Sequence, residues 1–386
     1  MNFKILKKSK NSRARLGFLE TSHGVVETPS LVPVATQAVI KTLDSKEVEQ
    51  TKSQILIANT FHLHLKPGEK IVEKSGGLRK FMNWKKPLMT DSAGFQVFSL
   101  GFGRDMGLAS KILKPSANNN ETIKENSQPK FIKITQDGVY FRSPINGDEL
   151  FLGPKESIKI QEKLGADIIF NFDECTPPMA DYDYVKKSLE KTHKWAKVCL
   201  KTHSAGSGQA KKQALFGIAQ GSKFKDLRVE SAKFIGSMDF DGFGIGGEFG
   251  ADKKKMAEML GWVVNELPEK KPRHLLGVGY LEDMESVVKS GVDLFDCTVP
   301  THYARRGIAF TSGGKLDLNK VKFLKNTEPL DTDCVCSVCQ NYKKNYICHL
   351  FKAGEITGMK LLTFHNLWYF NSFVEDIRQR IKKGEI

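Results

Sequence analysis

The sequence predicts an α/β fold, a (β/α)8 barrel, and three observations predict it. Eight short apolar runs are spaced along the 386 residues, each stopping at a residue suited to chemistry or to close backbone approach. Helix-compatible or loop segments separate them, as parallel βαβ units require. In such a barrel the C-terminal strand ends open on one face, so groups scattered through the sequence converge there. The chain therefore reads as an enzyme.

Taken in order, the first run is Leu31 to Val34, followed by Ala35-Thr36. Pro33 lacks a ladder donor, so this run is expected to need a bulge or an edge-like setting. Gln54 to Ala58 stops at Asn59, and Pro87 to Thr90 at Asp91. From 101 to about 136 the rhythm breaks, with Lys114-Pro115, Asn118-Asn119-Asn120 and many Lys, Ser and Glu. That composition buries little apolar area and predicts a flexible insertion, ahead of a hairpin element at Tyr140 to Asn146. Asp167 to Phe172 then leads to Asp173. Val185, Leu189, Ala196 and Leu200 recur as one buried helix face does. Ala214 to Ala219 precedes Gln220, and Phe240 to Ile245 precedes Gly246-Gly247. Met256, Met259, Leu260 and Val263 form a second helical stripe, which reads as core. His274 to Val278, with the histidine at the start of the run, leads to Gly279. A third stripe, Leu281, Met284 and Val288, precedes Val292 to Phe295 and Asp296. Beyond lie an Arg-containing loop, a cysteine cluster and an amphipathic segment from Phe364 to Ile381. The expected division is a catalytic barrel over 1–311 and, over 312–386, a zinc-binding subdomain and a C-terminal helix packed on the barrel.

With 40% hydrophobic and 27% charged residues, the chain has ample material for a core and is not a disordered one. Lys and Arg number 59 against 44 Asp and Glu, a formal net charge of +15. This favours a polyanionic partner, because neutralising phosphates releases condensed counterions. No segment approaches the roughly 20 apolar residues of a membrane helix, and the basic N-terminal stretch has no signal-peptide core. Seven cysteines, an odd number, suggest a reducing compartment, and the expected location is cytoplasmic.

Cys334-x-Cys336-x-x-Cys339 sets three soft ligands within six residues, three corners of a tetrahedral zinc site. Cys348, His349 and His365 are candidates for the fourth. With four protein ligands the ion is structural. Asp91, Asp173 and Asp296 stand at or just past strand ends. One such aspartate often only caps a helix, but three on one face suggest more. Two carboxylates facing a sugar C1′ permit retaining glycosyl transfer, one as nucleophile and the other as proton donor and acceptor.

At this point whole stretches resemble the tRNA-guanine transglycosylases: NTFHLHLKPG from Asn59, LMTDSAGFQVFSL from Leu88, FDECTP from Phe172, GIAQGS from Gly217, LLGVGYLED from Leu275, FDCTVPTHYARRGIAFT from Phe295, and CVCSVC. The resemblance implies an irregular (β/α)8 barrel with an inserted zinc-binding subdomain near the C-terminus. It implies exchange of the tRNA wobble guanine for a 7-deazaguanine, preQ1 or queuine, through a covalent ribosyl-aspartate. Asp296 falls on the family's nucleophile and Asp91 on its general acid/base. Asp173, Gln220 and Gly247 fall on positions that read the purine edge, with Ser92, Cys175, Leu276 and Val34 around them and Phe95 as a stacking wall. The runs Gly277, Val278, Gly279, Tyr280, Leu281, Glu282, Asp283 and Thr301, His302, Tyr303, Ala304, Arg305 match tRNA-binding loops, with Arg306 adding charge. The zinc motif, with its histidine 26 residues past the last cysteine, selects His365. A homodimer is also implied.

Several positions depart from the pattern. Ala93 replaces a glycine, and is expected to shift the loop presenting Asp91. Glu248 replaces a leucine, and its carboxylate suits the amine of an aminomethyl-deazaguanine. His302, Tyr303 and Arg306 replace Arg, Asn and Asn. The rival reading is a non-catalytic tRNA-binding subunit of the same fold, against which Asp91 and Asp296 both speak. A metal hydrolase would need strand-end histidines.

Overall fold

A computed structural model describes residues 1–105, 132–206, 212–247, 249 and 252–386. The expected runs form eight parallel strands: β1 (Ser30–Ala35), β2 (Leu56–Ala58), β3 (Leu88–Thr90), β4 (Ile168–Phe170), β5 (Ala214–Ala219), β6 (Gly242–Ile245), β7 (Arg273–Leu275) and β8 (Leu294–Cys297). They pair in sequence order, and β8 closes on β1 with Asp296 opposite Val32. This is the α/β barrel that the spacing of the runs predicts.

Most of these strands are only three or four residues long, so alternation decides what each residue does. Val32, Ile57, Met89, Ile168, Phe170, Phe216, Ile218 and Leu294 turn inward and fill the barrel. The other face packs against the surrounding helices. Pro33 is accommodated without the expected bulge: register runs unbroken from Ser30 opposite Leu294 to Pro33 opposite Cys297, the last residue of β8. Leu19 and Val26 join the interior cluster from an antiparallel sheet of Asn2–Lys8, Arg15–Thr21 and Gly24–Thr28. Because Gly24–Thr28 leads directly into the start of β1, this sheet closes the end of the barrel opposite the strand C-termini. Arg15 then ties it to the β7–β8 wall, donating from Nε and Nη2 to both oxygens of buried Asp293 at 2.7 and 2.6 Å.

The three helical stripes lie in Tyr182–Ser204, Lys253–Val264 and Leu281–Lys289. A helix over Gly94–Asp105 and a strand over Ile132–Ile134 occupy the ends of the expected 101–136 insertion, whose span 106–131 lies outside the described residues. Ile132–Ile134, Val139–Arg142 and Glu149–Leu152 make a three-stranded antiparallel sheet where a single hairpin element was expected. The C-terminal helix, Ile356–Lys383, starts earlier than the segment from Phe364 and packs against β1 and the helix Val299–Ala304.

Packing is tight at Gly217 in β5, where a Cβ would lie 2.4 Å from the Phe240 ring and 2.8 Å from an Ile235 methyl. Gly217→Ala is expected to lower unfolding free energy by about 1–3 kcal/mol, measured by urea titration.

Candidate active site

Asp91 follows β3, and its carboxylate is held from the neighbouring strand end. Asn59, after β2, donates from Nδ2 to Oδ2 at 2.6 Å, and Thr60 donates its backbone N–H to Oδ1 at 2.9 Å. Asn59 meanwhile caps the helix Thr60–Leu65, its Oδ1 accepting from the His62 N–H, so one side chain fixes both helix and acid. The Ala93 N–H (3.1 Å) and Gln96 Nε2 (3.2 Å) complete the set. Ala93 adopts φ 68°, the left-handed conformation that glycine takes freely, and its N–H still reaches Asp91. Burial pushes the Asp91 carboxyl up to about 7 against the pull of these donors, and the charge of Asp296 adds to the rise.

Asp173 follows β4 and is deeply buried. Ser92, next to Asp91, donates its hydroxyl to Oδ1 at 2.9 Å, and Gln220 at the end of β5 donates from Nε2 to Oδ2 at 2.6 Å. A side chain at Gly94 would sit 2.4 Å from the Asp173 carbonyl, so only glycine lets the two loops meet. Gly246 and Gly247 make room for Gln220 in the same way, with Cβ positions 2.6 Å from Nε2 and 2.8 Å from Oε1. That Oε1 is buried without a partner among the described residues. Burial raises the Asp173 carboxyl to about 6, partly countered by Gln220 and Ser92. The recess thus offers acceptors to the N–H edge of a planar heterocycle. Cys175, Leu276 and Val34 are partly exposed, and Phe95 stands 51% exposed with its face available for stacking.

Asp296 lies in β8 and is partly exposed. Its Oδ1 receives the Gly277 N–H at 3.1 Å and pairs with His274 Nε2 at 2.9 Å. His274 is in the middle of β7, where a run starting at the histidine was expected, because the strand begins at Arg273.

The loops Gly277–Asp283 and Thr301–Arg305 also reach this face, but unevenly. Gly277 and Glu282 are exposed, and Val278, Tyr280, Leu281, Asp283, His302, Tyr303 and Arg305 partly so. Thr301, Ala304 and Gly279 are buried, leaving the Thr301 and Ala304 side chains to packing. Arg305, Arg306 and Lys41 form a cationic group beside His302: burial, then Arg306, Arg305 and Lys41, lower the His302 pKa and favour its neutral form. Glu248 lies outside the described residues.

Away from the mouth, Cys334, Cys336, Cys339 and His365 bring their ligand atoms within 4.8 Å of one another. His365 Nδ1 is 3.8, 3.5 and 3.3 Å from the three sulfurs in that order. A tetrahedral ion with Zn–S ≈ 2.3 Å and Zn–N ≈ 2.0 Å gives N···S edges of about 3.5 Å, so the set fits a metal ion. His365 Nε2 meets the Phe310 carbonyl at 2.8 Å, which leaves Nδ1 free to ligate. Of the two rivals, Cys348 turns its Sγ to the Lys320 carbonyl at 3.5 Å, and His349 is exposed and lies outside the cluster.

Among these residues Asn59, Thr60, Gln96 and His274 carried no assigned role in the sequence. Asn59 ends an apolar run, the signal that marked the aspartates. His274 gave only the weaker sign of a polar ring in an apolar run.

A family model for queuine tRNA-ribosyltransferase matches residues 9–386. The chain is 45% identical over 387 aligned positions to a queuine tRNA-ribosyltransferase of Caldanaerobacter subterraneus subsp. tengcongensis, covering 100% of this chain and 95% of that protein. It is 44% identical to one from Halothermothrix orenii, with 100% and 95% covered, and 43% to one from Staphylococcus aureus strain JH9, with 100% and 94% covered.

The buried carboxylate of Asp173 sets a pH-dependent stability. Its folded pKa of about 6 exceeds the ordinary 3.8, so folding takes up a proton between these values. The stability associated with this group is complete below 3.8 and is lost as pH rises through 6. Asp173→Asn removes that loss. The difference in melting temperature, variant minus wild type, is expected to grow between about pH 4 and 6.5 and then level off; a difference constant with pH would contradict the assignment.

Proposed function

The chain belongs to the queuine tRNA-ribosyltransferase family, and we propose that Asp296 and Asp91 carry out its base exchange as nucleophile and proton carrier. The enzyme is a tRNA-guanine transglycosylase. The observation that most supports these roles is the pair itself: Asp91, pushed to about 7, is close enough to Asp296 to feel its charge. A group with that pKa gives and takes a proton near neutrality.

A carboxylate oxygen of Asp296 bonds to C1′ of the wobble guanosine as the C1′–N9 bond breaks, and guanine leaves with the electron pair and a proton from Asp91. The incoming 7-deazaguanine, preQ1 or queuine, returns its N9 proton to Asp91 and attacks C1′, releasing the carboxylate. Asp173, Gln220, Gly247 and Ser92 read the base, between Phe95 and the side chains of Cys175 and Leu276. Recognition of an extruded base accounts for the polar groups that line the recess. His302, Arg305 and the loop Gly277–Asp283 hold the anticodon stem-loop, with the charge of Arg305 and Arg306 supplying affinity. We assign the cysteine cluster to one structural zinc ion, which ties Cys334, Cys336 and Cys339 to the C-terminal helix through His365 within the 312–386 segment and supplies no chemistry to the exchange. A cytoplasmic homodimer fits this reading, and no helix among the described residues is long and apolar enough to cross a membrane.

Labelled guanine is expected to enter a cognate tRNA transcript with the wild-type protein. Asp296→Asn should reduce incorporation by about 10³-fold or more, and Asp91→Asn by about 10²- to 10⁴-fold. Undiminished exchange by the first variant would remove the nucleophile assignment, and no exchange by wild type would favour the binding-subunit reading. Metal analysis should find one zinc per chain, and Cys339→Ser should lose it and unfold earlier while Cys348→Ser keeps it.

A further inference from the structure

We propose that His274 is a positioning residue for the exchange reaction: with the Gly277 N–H, its Nε2–H pins Oδ1 of Asp296 and leaves Oδ2 as the oxygen that bonds to ribose. The inference rests on the reading above that Asp296 attacks C1′.

His274 is fully buried, and its ring lies 5.4 Å from that of Phe170, inside the apolar barrel. A polar ring in such a place needs a partner. Among the described residues its partner is Asp296 Oδ1, at 2.9 Å from Nε2, while Nδ1 is buried without a hydrogen bond. The tautomer carrying its proton on Nε2 serves the carboxylate and puts no unserved N–H at Nδ1. Gly277 donates to the same oxygen at 3.1 Å, from a turn with φ 73° that suits glycine. No hydrogen bond among the described residues reaches Oδ2. Asp296 is partly exposed toward the mouth while His274 is sealed, so the imidazole touches the carboxylate and not the tRNA.

Two donors on one oxygen stop rotation of the carboxylate about its Cβ–Cγ bond and aim the other oxygen. When an Oδ2 lone pair bonds to C1′ and the C1′–N9 pair leaves with guanine, Oδ1 becomes the ester carbonyl oxygen. Its two donors stay in place and receive the charge again when the second base expels the carboxylate. Positioning of this kind is felt in kcat rather than in substrate affinity.

The test compares guanine exchange by wild type, His274→Phe and His274→Gln, since the glutamine amide can reach Oδ1 and phenylalanine cannot donate. His274→Phe is expected to lose on the order of 10²-fold in kcat, with KM for tRNA and for guanine within about threefold. His274→Gln should recover at least about tenfold of that loss, and covalent RNA adduct should form more slowly in the same order. If His274→Phe does not fold, His274→Asn, polar but too short to reach Oδ1, is judged by the same criteria. Exchange by the non-donating variant within about threefold of wild type, or glutamine no better than phenylalanine in folded proteins, overturns the positioning role. Asp296→Asn in the same assay separates the two claims. If it is inactive while His274→Phe is fully active, only the positioning role fails. If it is active, the nucleophile assignment fails.

Discussion

Three carboxylates share one barrel mouth from which much of the water is excluded, and everything else at the site follows from how that charge is tolerated. Each acid is held by a polar side chain on the end or in the body of the adjacent strand. Asn59 after β2 holds Asp91 after β3, Gln220 after β5 holds Asp173 after β4, and His274 of β7 holds Asp296 of β8. Parallel pairing fixes these neighbours, since strand ends in register sit side by side. The barrel therefore supplies to each aspartate a donor from a strand distant in sequence, and the closed sheet keeps the donor from moving.

The Cys334, Cys336, Cys339 and His365 cluster belongs to the same logic although it lies away from the chemistry. His365 and Asn366 are consecutive on the long helix Ile356–Lys383. The first contributes Nδ1 to the cysteine cluster and meets the Phe310 carbonyl with Nε2. The second accepts from the Phe310 N–H and donates to the carbonyls of Pro300 and Ile308. Pro300 begins the helical turn that carries Thr301, His302, Tyr303 and Ala304, and Ile308 follows the Arg305-Arg306 pair. Locking the cluster thus fixes the frame of the cationic loop, because a buried amide satisfying three backbone groups tolerates little displacement.

What the sequence made legible was the set of strand ends. The apolar runs stop where the backbone leaves the barrel, and a carboxylate there is conspicuous against its apolar neighbours, so Asp91, Asp173 and Asp296 stood out. His274 did not, because in a three-residue strand the inward or outward direction of each side chain depends on a boundary misplaced by one residue. Pro33 misled for a related reason: the rule against proline in a sheet interior concerns the ladder, and here its partner is the final residue of β8. The sheet of Asn2–Lys8, Arg15–Thr21 and Gly24–Thr28 was unread, since its strands carry many charged residues and only Leu19 and Val26 reach the barrel interior. Ala93 shows the opposite limit. Its departure from glycine is plain in the sequence, but only the backbone reveals that alanine accepts the left-handed conformation at a cost of about 1–2 kcal/mol.

The division of labour proposed for Asp91 and Asp296 also rests on unequal surroundings rather than on unlike residues. Asp91 is drawn into a desolvated corner where burial outweighs several donors, and the neighbouring negative charge reinforces the effect. Asp296 faces the opening, with both of its donors on one oxygen. Two identical side chains whose environments differ in this way fall into separate roles, one carrying a proton near neutrality and one presenting a free oxygen. Asp173, buried more deeply than Asp91, has no place in the proposed proton exchange with the departing and arriving bases. Both of its oxygens are already occupied, by Ser92 and Gln220, which directs it to recognition.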